Sequence, residues 1–175
     1  MKYFALSFSL LIIGLDQLFK ELAIIYLSPI ATHPIIEDIF HLTYVENKGA
    51  AFGIMQGKKI FLIGVTFLVI IAAIVFILMN KVKSNFFLWS LALIIGGGVG
   101  NLIDRAFRGF VVDYLDVRLI NFAVFNFADC CVVVGTILVM IYLIFFEGKK
   151  GKTSVIENKI VKADSSTELG RDDNE

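Results

Sequence analysis

The chain is poor in histidine and cysteine and has no excess of either charge. Its 175 residues include two His and two Cys, and Lys+Arg equal Asp+Glu at 16 each. Two histidines argue against a histidine-based metal centre, so no metal or other cofactor is expected. Balanced charge offers no basic surplus to draw nucleic acid through its phosphates. The cysteines are adjacent, Cys130 and Cys131, which disfavours a disulfide between them and leaves them as small apolar packing residues. No G-x-S-x-G surrounds a serine, no H-E-x-x-H occurs, and neither His33 nor His41 falls in a long apolar stretch. Serine and zinc proteases of the membrane are therefore disfavoured. The sequence contains no internal repeat.

What the chain does have is apolar length. Hydrophobic residues make up 58% and the mean hydropathy is +0.82, above the roughly 45–50% apolar content of a soluble domain. Four stretches, residues 3–27, 60–79, 86–102 and 122–146, are each long enough to cross a hydrocarbon core that needs about 20 apolar residues. The expected fold is an all-α polytopic membrane protein with four transmembrane helices and a small extracytoplasmic β-rich loop between helices 1 and 2. In that loop, residues 39–45 are rich in β-branched and aromatic types and are followed by Asn47, Gly49 and Gly53, a strand and then a turn.

Residues 1–147 form the expected membrane domain, and residues 148–175 a polar tail without apolar periodicity, expected to be disordered. Lys81 and Lys83 in the second connection, and Lys149, Lys150 and Lys152 after the last span, place both on the cytoplasmic side. Both termini are then inside, and residues 28–59 and 105–121 outside. Those outer segments also carry Lys48, Lys58, Lys59, Arg105, Arg108 and Arg118, so orientation rests on the even number of spans as well. Lys2 before an apolar run resembles the start of a secretory signal. No small-x-small cleavage site follows, and more spans do, so a retained helix is expected.

Charges inside apolar spans are costly, about 2.5–3.5 kcal/mol each on insertion scales, so each needs a partner, a wet cavity or a task. Asp16 and Lys20 stand at i,i+4 with the acid first, the better order for an intrahelical pair, and their mutual neutralisation is one reading. Asn101 and Asp104 lie at i,i+3, with Arg105 beside them, and Asn126 and Asp129 repeat the amide and carboxylate spacing on the last span. Asp113 adds a carboxylate after two valines. Two carboxylates brought together in a dry site cannot both ionise, so the pair holds one proton near neutral pH. That is what an aspartic protease requires. Ion pairing of these acids with Arg105 or Arg108, or a proton or ion relay in a small transporter, fits the same spacing, and spacing alone does not choose Asp113 over Asp104. The glycines at 96, 97, 98 and 100 lie inside a span and are expected to allow close helix packing rather than to bind a nucleotide.

Five ordered motifs over residues 11–142 resemble one family: Asp16-Gln17-x-x-Lys20, Asn47-x-Gly49-Ala50-Ala51-Phe52-Gly53, Gly97-x-x-Gly100-Asn101-x-x-Asp104-Arg105, Val111-Val112-Asp113-Tyr114 and Phe125-Asn126-x-Ala128-Asp129. Together they are similar to the lipoprotein signal peptidases (signal peptidase II), aspartic proteases of the bacterial cytoplasmic membrane with four transmembrane helices. The resemblance implies that Asp113 and Asp129 are the catalytic dyad. It implies that Asp16, Lys20, Asn47, Gly49, Asn101, Asp104, Arg105, Asn126 and Ala128 hold the substrate, its lipid or the catalytic acids. The implied substrate is a membrane prolipoprotein with a diacylglyceryl-modified cysteine, cut just before that cysteine by a monomer in contact with membrane lipid. The implied active site is near the outer leaflet. Arg105 would face a lipid phosphate or Asp104, and charge favours Asp104. The sequence departs from the common pattern at Ala123, where proline often stands, and at Cys130, where serine is usual.

Overall fold

A computed structural model describes residues 1–49, 55, 57–79 and 84–147. The elements in order are α1 (Lys2–Tyr26), β1 (Thr32–Ile36), β2 (Phe40–Asn47), α2 (Lys59–Leu78), α3 (Asn85–Phe107), β3 (Val111–Val117) and α4 (Phe127–Tyr142). Chain contacts divide the protein into two units, Met1–Leu138 and Val139–Glu175. Of the second unit, the described part is the last turn of α4 and a π-helical turn, Leu143–Glu147. The expected turn beyond Gly49, the Lys81 and Lys83 connection and the polar tail lie outside the described residues.

The protein is mostly helical. Among the described residues, three helical stretches are long and apolar enough to cross a membrane: Lys59–Leu78, Asn85–Phe107 and Phe127–Phe145. In α2 only Ile70 and Ile77 are buried, and a helix this exposed with no charge after Lys59 suits a lipid surface rather than water. The helix α1 has 25 residues, about 37 Å at the usual rise, but it carries Asp16, Lys20 and Glu21 along that length.

Two helix ends differ from the sequence expectation. The helix α3 continues to Phe107 rather than ending near 102, because its polar last turns are buried against partners instead of facing lipid. The helix α4 begins at Phe127 rather than 122, because Asn126 caps it. The residues before it form a strap, with Phe125 N–H donating to the Leu115 carbonyl at 3.0 Å and Leu115 N–H to the Phe125 carbonyl at 2.7 Å.

The β structure is larger than expected. The expected strand over 39–45 is β2, which begins one residue later at Phe40, but the sheet has three antiparallel strands in the order β1-β2-β3, and the third comes from between α3 and α4. Val45 pairs with Asp113 and Asn47 with Val111, with a register shift between Leu42 and Val45. Val111, Val112, Asp113 and Tyr114 are all buried, so β3 shows no polar alternation by which its sequence would announce a strand. A buried cluster of Ala23, Leu27, Val112 and Tyr114 joins the end of α1 to β3.

The glycines of α3 allow the helices to approach as expected. A Cβ on Gly97 would stand 2.3 Å from the Ala128 carbonyl oxygen, and one on Gly100 would stand 2.3 Å from Asp16 Oδ2. Backbone and a buried carboxylate cannot yield cheaply. Gly97→Ala and Gly100→Ala are each expected to cost about 1–3 kcal/mol through overpacking, read as a lower unfolding temperature in detergent. Wild-type stability in both variants would refute the close-packing account.

Candidate active site

The first turn of α4 leaves backbone N–H groups without intrahelical partners, and β3, α1 and the residue just before the helix supply acceptors. Phe127 N–H donates to the Tyr114 hydroxyl of β3 at 3.3 Å, and Ala128 N–H to Asp16 Oδ1 of α1 at 3.1 Å. Asp129 N–H donates to Asn126 Oδ1 at 3.0 Å, while Asn126 N–H donates back to Asp129 Oδ2 at 3.1 Å. This reciprocal pair is a capping box, with Asn126 at the cap and Asp129 three residues on. Asp129 is therefore fixed by the start of its own helix.

Asn126 also reaches the second acid. With its oxygen held by Asp129 N–H, its amide nitrogen donates to Asp113 Oδ1 at 2.6 Å. Asn47 Nδ2 donates to Asp113 Oδ2 at 2.9 Å, and Gly49 N–H donates to Asn47 Oδ1 at 2.9 Å, which orients that amide. Asn101 Nδ2 donates to Asp129 Oδ1 at 2.7 Å. Its oxygen accepts from Lys20 Nζ at 2.8 Å and from Asn126 Nδ2 at 3.2 Å. Three asparagines thus hold the two carboxyl groups, and Asn126 touches both.

Asp113 and Asp129 line one cavity of about 530 Å³ together with Asn47, Asn101 and Arg105; its remaining wall includes Val111, Phe122, Phe125 and Val133. Asp113 is 1% exposed. Burial pushes its carboxyl up to about 7, the nearby charge of Asp129 adds to this, and the hydrogen bonds from Asn47 and Asn126 oppose it. A second cavity, about 430 Å³ between Phe19, Leu22, Tyr26, Leu42 and Phe127, is almost wholly apolar and holds no carboxylate.

Behind the acid-lined cavity is a dry charge cluster. Lys20, fully buried, lies 2.8 Å from Asp16 Oδ2 and 2.9 Å from Asp104 Oδ2. The expected Asp16–Lys20 pair is therefore present, with Asp104 as a third member. The expected Arg105–Asp104 pair is not. Asp104 is occupied by Lys20, by Arg108 and by Val112 N–H at 3.1 Å. Arg105, one residue on and so turned to another side of the helix, instead donates to the Gly49 carbonyl at 3.0 Å and faces the cavity.

The structure thus divides the acids that spacing left equivalent. Asp113 and Asp129 share the cavity, whereas Asp16 and Asp104 hold cations and backbone N–H groups behind it. Ala128 contributes its backbone N–H to Asp16, and its backbone carbonyl lies against Gly97. Sequence reasoning missed Gln17, which accepts from Arg108 at 3.1 Å and donates to the Gly100 carbonyl at 3.2 Å, and the hydroxyl of Tyr114. Arg108 was legible as the i+4 partner of Asp104; the other two stood inside the ordered motifs, but as neutral side chains gave no sign of their partners. Cys130 and Cys131 form no disulfide, and Cys130 borders the cavity.

Apolar helices around a cavity lined by two acids define a membrane protein. Residues 8–145 match the family model of signal peptidase (SPase) II. The lipoprotein signal peptidase of Clostridioides difficile strain 630 is 49% identical over 140 residues, covering 80% of this chain and 94% of the relative. That of Caldanaerobacter subterraneus subsp. tengcongensis is 46% identical over 138 residues, covering 78% and 92%. A bacterial membrane enzyme solved by the in meso method at 1.9 Å resolution superposes with a TM-score of 0.73 at 28% identity, covering 81% of this chain and 93% of that one. The chain belongs to the signal peptidase II family. It is a bacterial multi-pass membrane protease of lipoprotein processing, removing signal peptides from prolipoproteins.

Proposed function

We propose that this protease is of the aspartic type, with Asp113 and Asp129 as a dyad that activates water without metal or covalent intermediate. The observation that carries the reading is Asn126, which donates to Asp113 and caps the helix turn of Asp129, fixing both acids on one cavity. A single proton is held between them near neutral pH, as the elevated carboxyl of Asp113 supports. The ionised member takes a proton from the attacking water and the protonated member donates to the scissile carbonyl oxygen. The roles then reverse to protonate the leaving amine.

The supporting residues divide by position. Asn47, Asn101 and Asn126 orient the acids, and Gly49 orients Asn47 and Arg105. Arg105 presents donors to the substrate backbone or its lipid. Asp16, Lys20 and Asp104 hold the frame, and Ala128 gives the backbone N–H that Asp16 caps and the carbonyl that packs on Gly97. In this reading α1 is a fourth span, its charges satisfied inside the protein, both termini are cytoplasmic and the cavity opens at the outer leaflet. The functional unit is a monomer comprising residues 1–147.

The substrate is a prolipoprotein already carrying diacylglyceryl on the cysteine that follows the scissile bond. A lipidated cysteine stays at the bilayer boundary, where acids near the end of a span can reach it. Binding energy from the acyl chains contributes to orienting the peptide at the acids. The test is cleavage of one precursor with and without its lipid by the purified enzyme. The unlipidated form is expected to retain less than about a tenth of the rate, mostly through lower kcat. Equal rates on both forms would point to a general peptidase. Movement of a solute in proteoliposomes without any peptide cleavage would point instead to an ion or solute relay through the same acids.

A further inference from the structure

The two acids are held alike in number of donors but not in kind. Asp129 receives a backbone N–H at the start of α4, where the aligned peptide dipoles place partial positive charge. Its other oxygen receives the Asn101 amide, which cannot turn over because Lys20 occupies the Asn101 oxygen with a group that only donates. Arg105 from α3 and Lys20 from α1 both bring positive charge toward it. Asp129 is also the more open of the two, partly exposed to the cavity.

Asp113 lies on a strand, with no helix terminus behind it. Its donors are the side-chain amides of Asn47 from β2 and Asn126 before α4, its charged neighbours are Asp129, Lys20 and, more weakly than for Asp129, Arg105, and it is 1% exposed. Burial and the other carboxylate oppose charge on both acids, but Asp129 alone has a helix terminus and an open side on the cavity to offset them, whereas Asp113 has neither. Electrostatics and access point the same way.

We propose that Asp129 enters the reaction ionised, as the base that activates water, and that Asp113 enters protonated, as the acid on the scissile carbonyl. This deepens the dyad reading and rests on it. Water gives a proton to Asp129 as its oxygen bonds to the carbonyl carbon, and Asp113 gives its proton to the carbonyl oxygen, producing a neutral gem-diol. Asp129 then protonates the amide nitrogen as the C–N bond breaks, and a gem-diol hydroxyl returns its proton to Asp113. The products are a carboxylic acid and an amine, and both acids end as they began. Water is placed on the more accessible carboxylate, which is where it can arrive.

The pH dependence of kcat/KM on a lipidated precursor tests the assignment. The acid limb reports the group that must be ionised and the alkaline limb the group that must keep its proton. Removing a donor from a carboxylate makes it harder to ionise. Asn101→Ala is expected to move the acid limb up by about one pH unit and leave the alkaline limb in place. Asn47→Ala is expected to move the alkaline limb up by a similar amount and leave the acid limb in place. Arg105→Gln removes a cation that acts more on Asp129 than on Asp113, so it is expected to move the acid limb up further than the alkaline limb, without relying on the Asn101 variant to fold. Reversed limbs, both limbs moving together in each variant, or no movement in any of them would overturn the assignment. Failure of the dyad itself reads differently, as persistent cleavage by Asp113→Asn or Asp129→Asn.

Discussion

Asp113→Asn and Asp129→Asn are each expected to lower kcat for a lipidated precursor by at least about 10³-fold while leaving membrane insertion and abundance unchanged. Asparagine matches aspartate in shape; its NH2 meets one of the two donors at each site, a local cost of about 1–3 kcal/mol that leaves the helix packing in place. What is lost is the capacity to exchange a proton. At position 113 the amide can still donate a hydrogen bond but cannot transfer its hydrogen to the carbonyl oxygen; at position 129 no basic oxygen pair remains for water. The two losses are not additive, because the acids act as a unit, and the double variant is expected to resemble either single one. Cleavage assays of purified enzyme, with immunoblots of the membrane fraction, check this. Near-normal turnover in either single variant with intact protein would remove that residue from the chemistry.

The second large effect is on stability. Lys20 is fully buried between Asp16 and Asp104 and also orients Asn101. Lys20→Met keeps much of the apolar stem but leaves two buried carboxylates without their shared cation. Breaking such an arrangement from one side costs about 3–5 kcal/mol, because an uncompensated buried charge remains. The expected result is a sharply lower unfolding temperature in detergent. Glu21→Gln provides the contrast: Glu21 pairs with Arg108 but is 53% exposed, and its loss is expected to cost less than about 1 kcal/mol. Equal stability of Lys20→Met and Glu21→Gln would show that the cluster does not hold the helices together.

The polar cluster also explains why the sequence was informative about some residues and silent about others. Asp16 and Lys20 announced themselves because a charge in an apolar run is rare, and their i,i+4 spacing predicted their contact. The glycines of α3 announced close packing by the same logic. Asp104 and Asp113 were indistinguishable as isolated acids beside apolar residues. Only the fold separates them: α3 turns Asp104 inward to Lys20 and Arg108, while β3, paired with β2, carries Asp113 to the cavity opposite the start of α4. The strand itself was invisible because both its faces are buried.

The sequence by itself determined that this is an apolar, membrane-embedded chain with a few charges in expensive positions, since hydropathy and helical spacing are local properties readable one segment at a time. Its ordered motifs pointed to the lipoprotein signal peptidases. The tertiary structure decided which acids meet, which ones hold cations, and how Asn126 reaches both carboxyl groups, because those depend on contacts between residues up to 112 positions apart, as between Asp16 and Ala128. Local spacing fixes which face of a helix a side chain occupies, but only the packing of α1, α3, α4 and the sheet decides what that face meets.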